Sequence, residues 1–326
     1  MAFANVSDIV ATTIEKRSRK IADNVTKNNL LLAKLSMKGN VRPVSGGSVI
    51  FEELSFAENA NGGAYSGYDL LPTAAQDVIS AAQFNFKQYA VPVVISGLEQ
   101  LQNAGPEAQM DLMEKRLGVA EATIKNLITQ GLYGDGTGFG GKAMTGIDAA
   151  VPTTATASQV DTYGGISRST WAFWRTQTTT GTDISTAAKC QAVMNAQWAT
   201  QIRGSDRPDL IIMDSKYWAD YLASLQAIQR FTDPKTAELG FPTIKYQDAD
   251  VGLDGGIGGF ATTQTAYFLN TSYIFYRPHK DRNMVPLSPN RRYSVNQDAE
   301  VQILAWAGNL TTSGAQFQGR NIATSV

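Results

Sequence analysis

The spacing of apolar residues changes twice within the first 135 positions, and each change predicts an element. Apolar and polar residues alternate along Ser48–Phe56 (SVIFEELSF), as in a half-buried strand. A turn-rich stretch, Glu58–Asp69 (ENANGGAYSGYD), follows, and Val78–Val93 (VISAAQFNFKQYAVPV) returns as a second strand. A β-branched run, Val91–Ile95, then stops at Ser96. Ser96 and Glu99 form an S-x-x-E box, in which hydroxyl and carboxylate satisfy orphan N–H groups at a helix start. Beyond Gly105–Pro106 the apolar residues Met110, Met113, Leu117, Ala120, Ile124 and Leu127 recur three and four apart, and Pro106 suits a first turn. After Leu132 the chain breaks into GDGTGFGGK, so a strand feeds a long helix that ends in a glycine turn.

On the N-terminal side, Ser7 caps a helical pattern over residues 7–26 (Ile9, Val10, Ile14, Ile21, Val25) whose polar side carries most of the basic residues. It reads as an arm; Leu30–Leu35 packs, and Gly39–Gly47 is a linker. The hairpin has too few inward-facing apolar residues for a core, and isolated two-stranded ribbons are marginal in water, so another subunit is expected to support it. Residues 148–168, rich in Thr, Ala, Ser and Gly, read as a surface loop. An αβ pattern begins near Thr186. A helix over 186–203 presents Cys190, Met194, Trp198 and Ile202 on one face; Asp209–Met213 is a buried strand; Asp214 caps a helix with Trp218, Tyr221, Leu222, Leu225 and Ile228 inward. Gly252–Gly259 is a glycine loop, and strands follow at Ala266–Leu269, Tyr273–Arg277 and Glu300–Trp306.

Composition narrows the function. The 326 residues carry 28 basic and 29 acidic side chains, and a net charge of −1 argues against a general nucleic-acid binder. Locally the balance is uneven. Residues 1–42 hold eight basic side chains (Lys16, Arg17, Arg19, Lys20, Lys27, Lys34, Lys38, Arg42) against Asp8, Glu15 and Asp23, a net of +5. Residues 43–86 hold no base and five acids (Glu52, Glu53, Glu58, Asp69, Asp77), a net of −5. One cysteine excludes an intrachain disulfide and fits a cytoplasmic folding compartment; no signal peptide or membrane-spanning run is expected.

Candidate chemistry is sparse. Gly136–Lys142 fits G-x-x-x-x-G-K, yet Ala143 stands where a magnesium-binding hydroxyl belongs, and the loop follows a helix. A chain-reversing turn is the competing reading. His279, the only histidine, sits in the polar run RPHKDR and reads as an exposed loop residue. Cys190 reads as a buried thiol, and one Cys with one His cannot build a zinc site. Asp248, Asp250 and Asp254 miss the EF-hand spacing and read as a solvated loop before calcium ligands. No catalytic residue, cofactor or metal is assigned.

The order of these parts resembles the major capsid protein of tailed bacteriophages, with the α+β Hong Kong 97-like fold. The resemblance rests on the basic arm, the long hairpin, the strand and spine helix Ser96–Tyr133, Gly134-Asp135-Gly136, Thr145-Gly146-Ile147, and Glu300–Trp306 with Gly308-Asn309-Leu310 after it. It implies an N-terminal arm over 1–46, an E-loop hairpin over 47–90, a P domain over 91–181 completed by 287–326, and an inserted αβ A domain over 182–286. It implies self-assembly into an icosahedral shell of hexamers and pentamers enclosing double-stranded DNA, in a virion made in the host bacterial cytoplasm. A portal is an implied partner, a separate scaffolding protein or none is implied, and a decoration protein is a further candidate; the DNA is contacted weakly and no membrane is involved. The expected intersubunit residues are Phe51, Phe56, Glu58, Asn61, Gly62, Tyr65 and Tyr68 on the E-loop, with Leu54 beside them, and Arg17, Arg19, Lys20 and Lys27 on the arm. Gly252, Gly255, Gly256 and Gly258 are expected to face a symmetry axis. The hairpin has no lysine before Lys87, which argues against the tip crosslinking found in some members. The alternatives are an encapsulin-type compartment shell, which shares the fold, and a nucleotide-binding enzyme using Gly136–Lys142.

Overall fold

A computed structural model describes residues 29–102, 112–153, 162–225, 243–255, 259–287, 292–293 and 298–324. The expected arm, with Arg17, Arg19, Lys20 and Lys27, lies outside the described residues, as do Gly256 and Gly258.

Helix α1 (Leu30–Met37) starts at Asn29, whose side chain accepts from the Leu32 N–H, and buries Leu30, Leu31 and Leu35. Lys34 pairs with Asp250, and Lys38 lies 2.7 Å from Asp209. The expected linker after α1 is pinned as well: Val41 and Val44 bridge to Tyr276 and His279. Strands β1 (Val49–Ser55) and β2 (Ile79–Asn85) form an antiparallel ribbon, with Glu52 opposite Ala82. Strand β3 (Lys87–Ser96) leads to α2 (Gly97–Gln102) through the predicted capping box. The Ser96 N–H donates to Glu99 at 3.1 Å, and the Glu99 N–H to Ser96 Oγ at 3.3 Å. Arg116 also donates to Glu99 at 2.6 Å and holds that carboxyl below its ordinary pKa.

Helix α3 (Leu112–Tyr133) buries Ala120, Ile124, Ile128 and Leu132, which extends the predicted stripe by one turn. Residues 148–151, expected to begin a surface loop, instead pack inside, because Ala149, Ala150 and Val151 are small enough to sit with Ile147 against the end of α3. A two-residue hairpin follows, β4 (Thr162–Tyr163) with β5 (Ile166–Ser167).

Two larger sheets complete the chain. One contains β6 (Gln177–Thr182), β7 (Leu210–Met213), β8 (Thr243–Tyr246), β9 (Ala249–Leu253), β10 (Thr265–Leu269) and β15 (Gly319–Ala323), in the order β6-β15-β10-β7-β9-β8. The other contains β11 (Ile274–Pro278), β12 (Val285–Pro286) and β13 (Arg292–Tyr293), all pairing with the long strand β14 (Ala299–Thr312), which also pairs with β3 along ten residues. A division of the chain at 181 and 286 does not follow these sheets: β6 and β15 lie in the six-stranded sheet, and β11 lies in the other.

Alternation along the six-stranded sheet divides its side chains between two cores. Leu210, Ile212, Tyr267 and Leu269 join the core shared with α3 and the second sheet. Ile211, Met213, Ala266 and Phe268 face α4 (Ala187–Gln201) and α5 (Ser215–Ser224). On α4, Cys190, Met194 and Trp198 are buried as predicted, but Ile202 is 46% exposed. The helix ends at Gln201, and Ile202 adopts extended backbone, which turns it off the stripe. On α5 the deepest residues are Tyr217 and Tyr221, with Trp218 only partly buried; Ile228 lies outside the described residues.

Candidate assembly surface

The ribbon divides into a seated base and a free tip. Along its inner face Ile50, Leu54, Ala82 and Phe84 are buried in the main core, so the chain's own body supports the base. This corrects the expectation that a neighbour must supply that support. It is seated in two places, the first of them the β4–β5 hairpin. The Gln83 N–H donates to the Gly164 carbonyl at 2.8 Å, and the Phe84 ring meets the Tyr163 ring edge-on at 5.1 Å. Gly164 has φ +59°, and a Cβ there would lie 2.9 Å from Phe84, so glycine lets the β4–β5 hairpin lie flat under the ribbon.

The second contact is ionic. Glu52 points into the body, where Arg277 donates to both its oxygens at 2.6 and 2.7 Å, and the Thr311 hydroxyl donates at 2.7 Å. These three residues come from β1, β11 and β14, so one carboxylate ties the ribbon to the second sheet. The pattern IFEEL contained this signal, a charged residue in phase with Ile50 and Leu54, but its partner is 225 positions away. Glu52 is thereby removed from the acids available to another subunit, as Lys34 and Lys38 are removed from the bases.

The outward face and the tip are different. Phe51 is 56% exposed and Ile79 71%, and beyond them Tyr65, Tyr68, Leu70 and Leu71 are also exposed. Tyr68 and Leu70 are almost wholly uncovered by their own chain. Glu53, Glu58, Asp69 and Asp77 share this exposed region. Local hydrogen bonds hold the tip: Gly62 N–H to the Asn59 carbonyl at 3.0 Å, Ser66 N–H to Asp69 at 2.9 Å, and the Asn61 side-chain amide to the Ala74 carbonyl. Of the expected contact residues, Phe51, Glu58, Gly62, Tyr65 and Tyr68 are exposed and Asn61 is half-buried. Leu54 is buried at home, and Phe56 packs on Trp171 and Phe173, with ring centroids 6.0 and 5.6 Å away. Leu70, Leu71 and Ile79 are exposed beside them without having been singled out in the sequence, although adjacent leucines in a polar stretch with no periodic partners are a readable sign of an exposed apolar patch.

The other candidates resolve against chemistry. Residues 137–142 are exposed, with Phe139, Gly140 and Gly141 at φ 54°, 67° and 81°. This turn leaves the C-terminal end of α3, where the helix dipole repels phosphate, and Lys87 donates to its Gly141 carbonyl at 2.6 Å. His279 is half-buried at a strand end, its ring 5.9 Å from Phe86 and its Nδ1 accepting from the Asp281 N–H. The three aspartates separate: Asp248 pairs with Arg207, Asp250 is buried between Lys34 and Lys245, and Asp254 is buried against the Tyr133 hydroxyl. Among the described residues no cluster could hold a metal, and no helix is long and apolar enough to cross a membrane.

Nor is the glycine run an open loop at its described positions. Gly252 is a buried β9 residue paired with Ile212, and a Cβ on Gly255 would lie 2.5 Å from the Ser215 nitrogen. Close packing inside the chain accounts for glycine at 255.

No protein-family model and no curated protein matches the sequence. Solved structures do match. In the cyanophage A-1(L) capsid asymmetric unit a chain superposes with a TM-score of 0.62 at 16% identity, covering 88% of this chain and 92% of that one. The capsid of a native GTA particle gives 0.57 at 11% identity, over 89% and 90%. A structure from Mycobacterium phage Bobi gives 0.55 at 11%, over the full length of both chains. At such identities the likeness is one of architecture, and it is consistent across these particles: this chain has the α+β, Hong Kong 97-like fold of tailed-bacteriophage major capsid proteins.

Proposed function

We propose that the chain assembles with copies of itself into an icosahedral capsid shell that encloses packaged double-stranded DNA. The observation that carries this reading is the ribbon tip, whose Tyr65, Tyr68, Leu70 and Leu71 are exposed beyond a base that is already seated. Large apolar side chains gathered on a projecting element mark a protein-contact surface. Burying Leu70, Leu71, Phe51 and Ile79 against a neighbour would contribute about 1.5–3 kcal/mol for each fully covered side chain. Capsid neighbours of the same architecture support the same reading.

The tip and the outward face of β1 and β2 are the surface that meets the next subunit. Its exposed acids, Glu53, Glu58, Asp69 and Asp77, face the basic arm residues Arg17, Arg19, Lys20 and Lys27 of neighbours. Exposed pairs contribute only ~0–1 kcal/mol each, so they set register and rate more than strength. Contact with DNA is weak and non-specific, in keeping with the net charge of −1. The protein resides in the virion, made in the host cytoplasm, with a portal and a separate scaffolding or decoration protein as partners.

Deleting Glu58–Tyr68 tests the reading. The variant is expected to keep the circular dichroism and melting behaviour of the intact protein, yet to form no shells in electron micrographs. Shells at normal yield would refute it. In particles of the intact protein, enclosed nucleic acid is the expected content, and protein cargo without DNA would redirect the reading to a compartment shell.

A further inference from the structure

We propose that Asn61 is a deamidation site whose conversion unfastens the tip of the ribbon. Asn61-Gly62 is the one Asn-Gly pair in the sequence, and it lies in the exposed tip. Glycine after asparagine leaves the following backbone nitrogen unshielded. Asn59, by contrast, is followed by Ala60, whose methyl group hinders the same attack.

The step conserves atoms and involves no redox change. The deprotonated Gly62 nitrogen attacks Asn61 Cγ; the N–Cγ bond forms, the Cγ–Nδ2 bond breaks, and the leaving amide nitrogen takes a proton and departs as ammonia. Water then opens the resulting succinimide at either carbonyl, giving aspartate or isoaspartate. Both reacting groups are engaged when the tip is closed. The Gly62 N–H donates to the Asn59 carbonyl at 3.0 Å, and Asn61 Nδ2 donates to the Ala74 carbonyl. Ring closure therefore reports opening of the tip.

The product cannot restore what was lost. The Asn61–Ala74 bond ties the two arms of the tip between the Phe56–Val78 pairing and the Ser66–Asp69 turn. After conversion an acceptor oxygen stands where Nδ2 donated, facing the Ala74 carbonyl, and a further negative charge joins Glu53, Glu58, Asp69 and Asp77. The isoaspartate product also lengthens the backbone by one atom.

The test uses the full chain before any assembly, so it does not depend on the capsid reading. The protein is aged at mildly alkaline pH and followed by peptide mass mapping and isoaspartate assay, alongside limited proteolysis of Asn61→Asp and Asn61→Gln. Conversion at Asn61 is expected to outrun that at Asn59. Asn61→Asp should be cut in the tip several-fold faster than the unaltered protein, while Asn61→Gln, which must close a larger ring, stays unconverted. Conversion at Asn61 no faster than at Asn59, or cleavage of Asn61→Asp at the wild-type rate, would overturn the proposal.

Discussion

Replacing Arg277 with methionine isolates the ionic anchor of the ribbon. Glu52 is 5% exposed and accepts three hydrogen bonds, two of them from Arg277. Methionine keeps an aliphatic stem but removes the guanidinium, which lies 5.3 Å over the Phe275 ring, and leaves a buried carboxylate with the Thr311 hydroxyl alone. Breaking a buried pair in this way costs about 3–5 kcal/mol, because the surviving charge is desolvated without compensation. Against a total stability of about 5–15 kcal/mol that is a large share. On the scaling of ~2–4 °C per kcal/mol for large domains, the melting temperature should fall by roughly 6–20 °C. Urea denaturation gives the free energy, and amide exchange across Val49–Ser55 shows whether the ribbon lifts before the rest unfolds. The paired variant Glu52→Gln with Arg277→Met removes both charges and should recover most of the loss. A cost of less than ~1 kcal/mol for Arg277→Met, the range of an exposed pair, would refute a desolvated anchor. So would a paired variant as unstable as the two single changes added together.

Other consequences are quickly checked. Burial raises the Asp254 carboxyl to about 6 from an ordinary 3.8, so the native state takes up this proton before the unfolded chain does. Its contribution to stability is full below about 4 and is lost as pH rises through about 6; Asp254→Asn should flatten urea-measured stability across that window and gain up to roughly 3 kcal/mol at neutral pH. Gly164→Ala meets both the positive φ and the Phe84 ring, and should cost about 1–3 kcal/mol by thermal melting; an unchanged melting point would contradict the seat described for the ribbon. Cys190 is fully buried and its thiol is pushed up to about 11, so thiol reagents should label it only on unfolding, as mass spectrometry would report.

What could be read from the sequence was local. The Ser96–Glu99 box, the α3 stripe from Ala120 to Leu127 and the Cys190–Met194–Trp198 face all depend on residues within a few positions of one another. What could not be read was long-range pairing. Glu52 resembled one more surface acid until Arg277 and Thr311 were brought to it, and Asp250 resembled a loop residue until Lys34 arrived from α1. The same limit explains the ribbon. Its inner face has few apolar residues, and they suffice only because β4 and β5 lie beneath it with a glycine at the contact. At the proposed surface, Tyr65 and Tyr68 stood out as aromatics in a turn-rich run, whereas Phe56 belongs to an aromatic cluster whose other members lie more than a hundred positions away.

The segment from Ala299 to Ala323 runs through both large sheets, first as the strand on which β3, β11, β12 and β13 align, then as β15 between β6 and β10. A polypeptide still on the ribosome, or cut short by a premature stop, lacks the shared spine of one sheet and an interior member of the other. Such fragments cannot complete either sheet, so both cores close only after Ala299–Ala323 has left the ribosome.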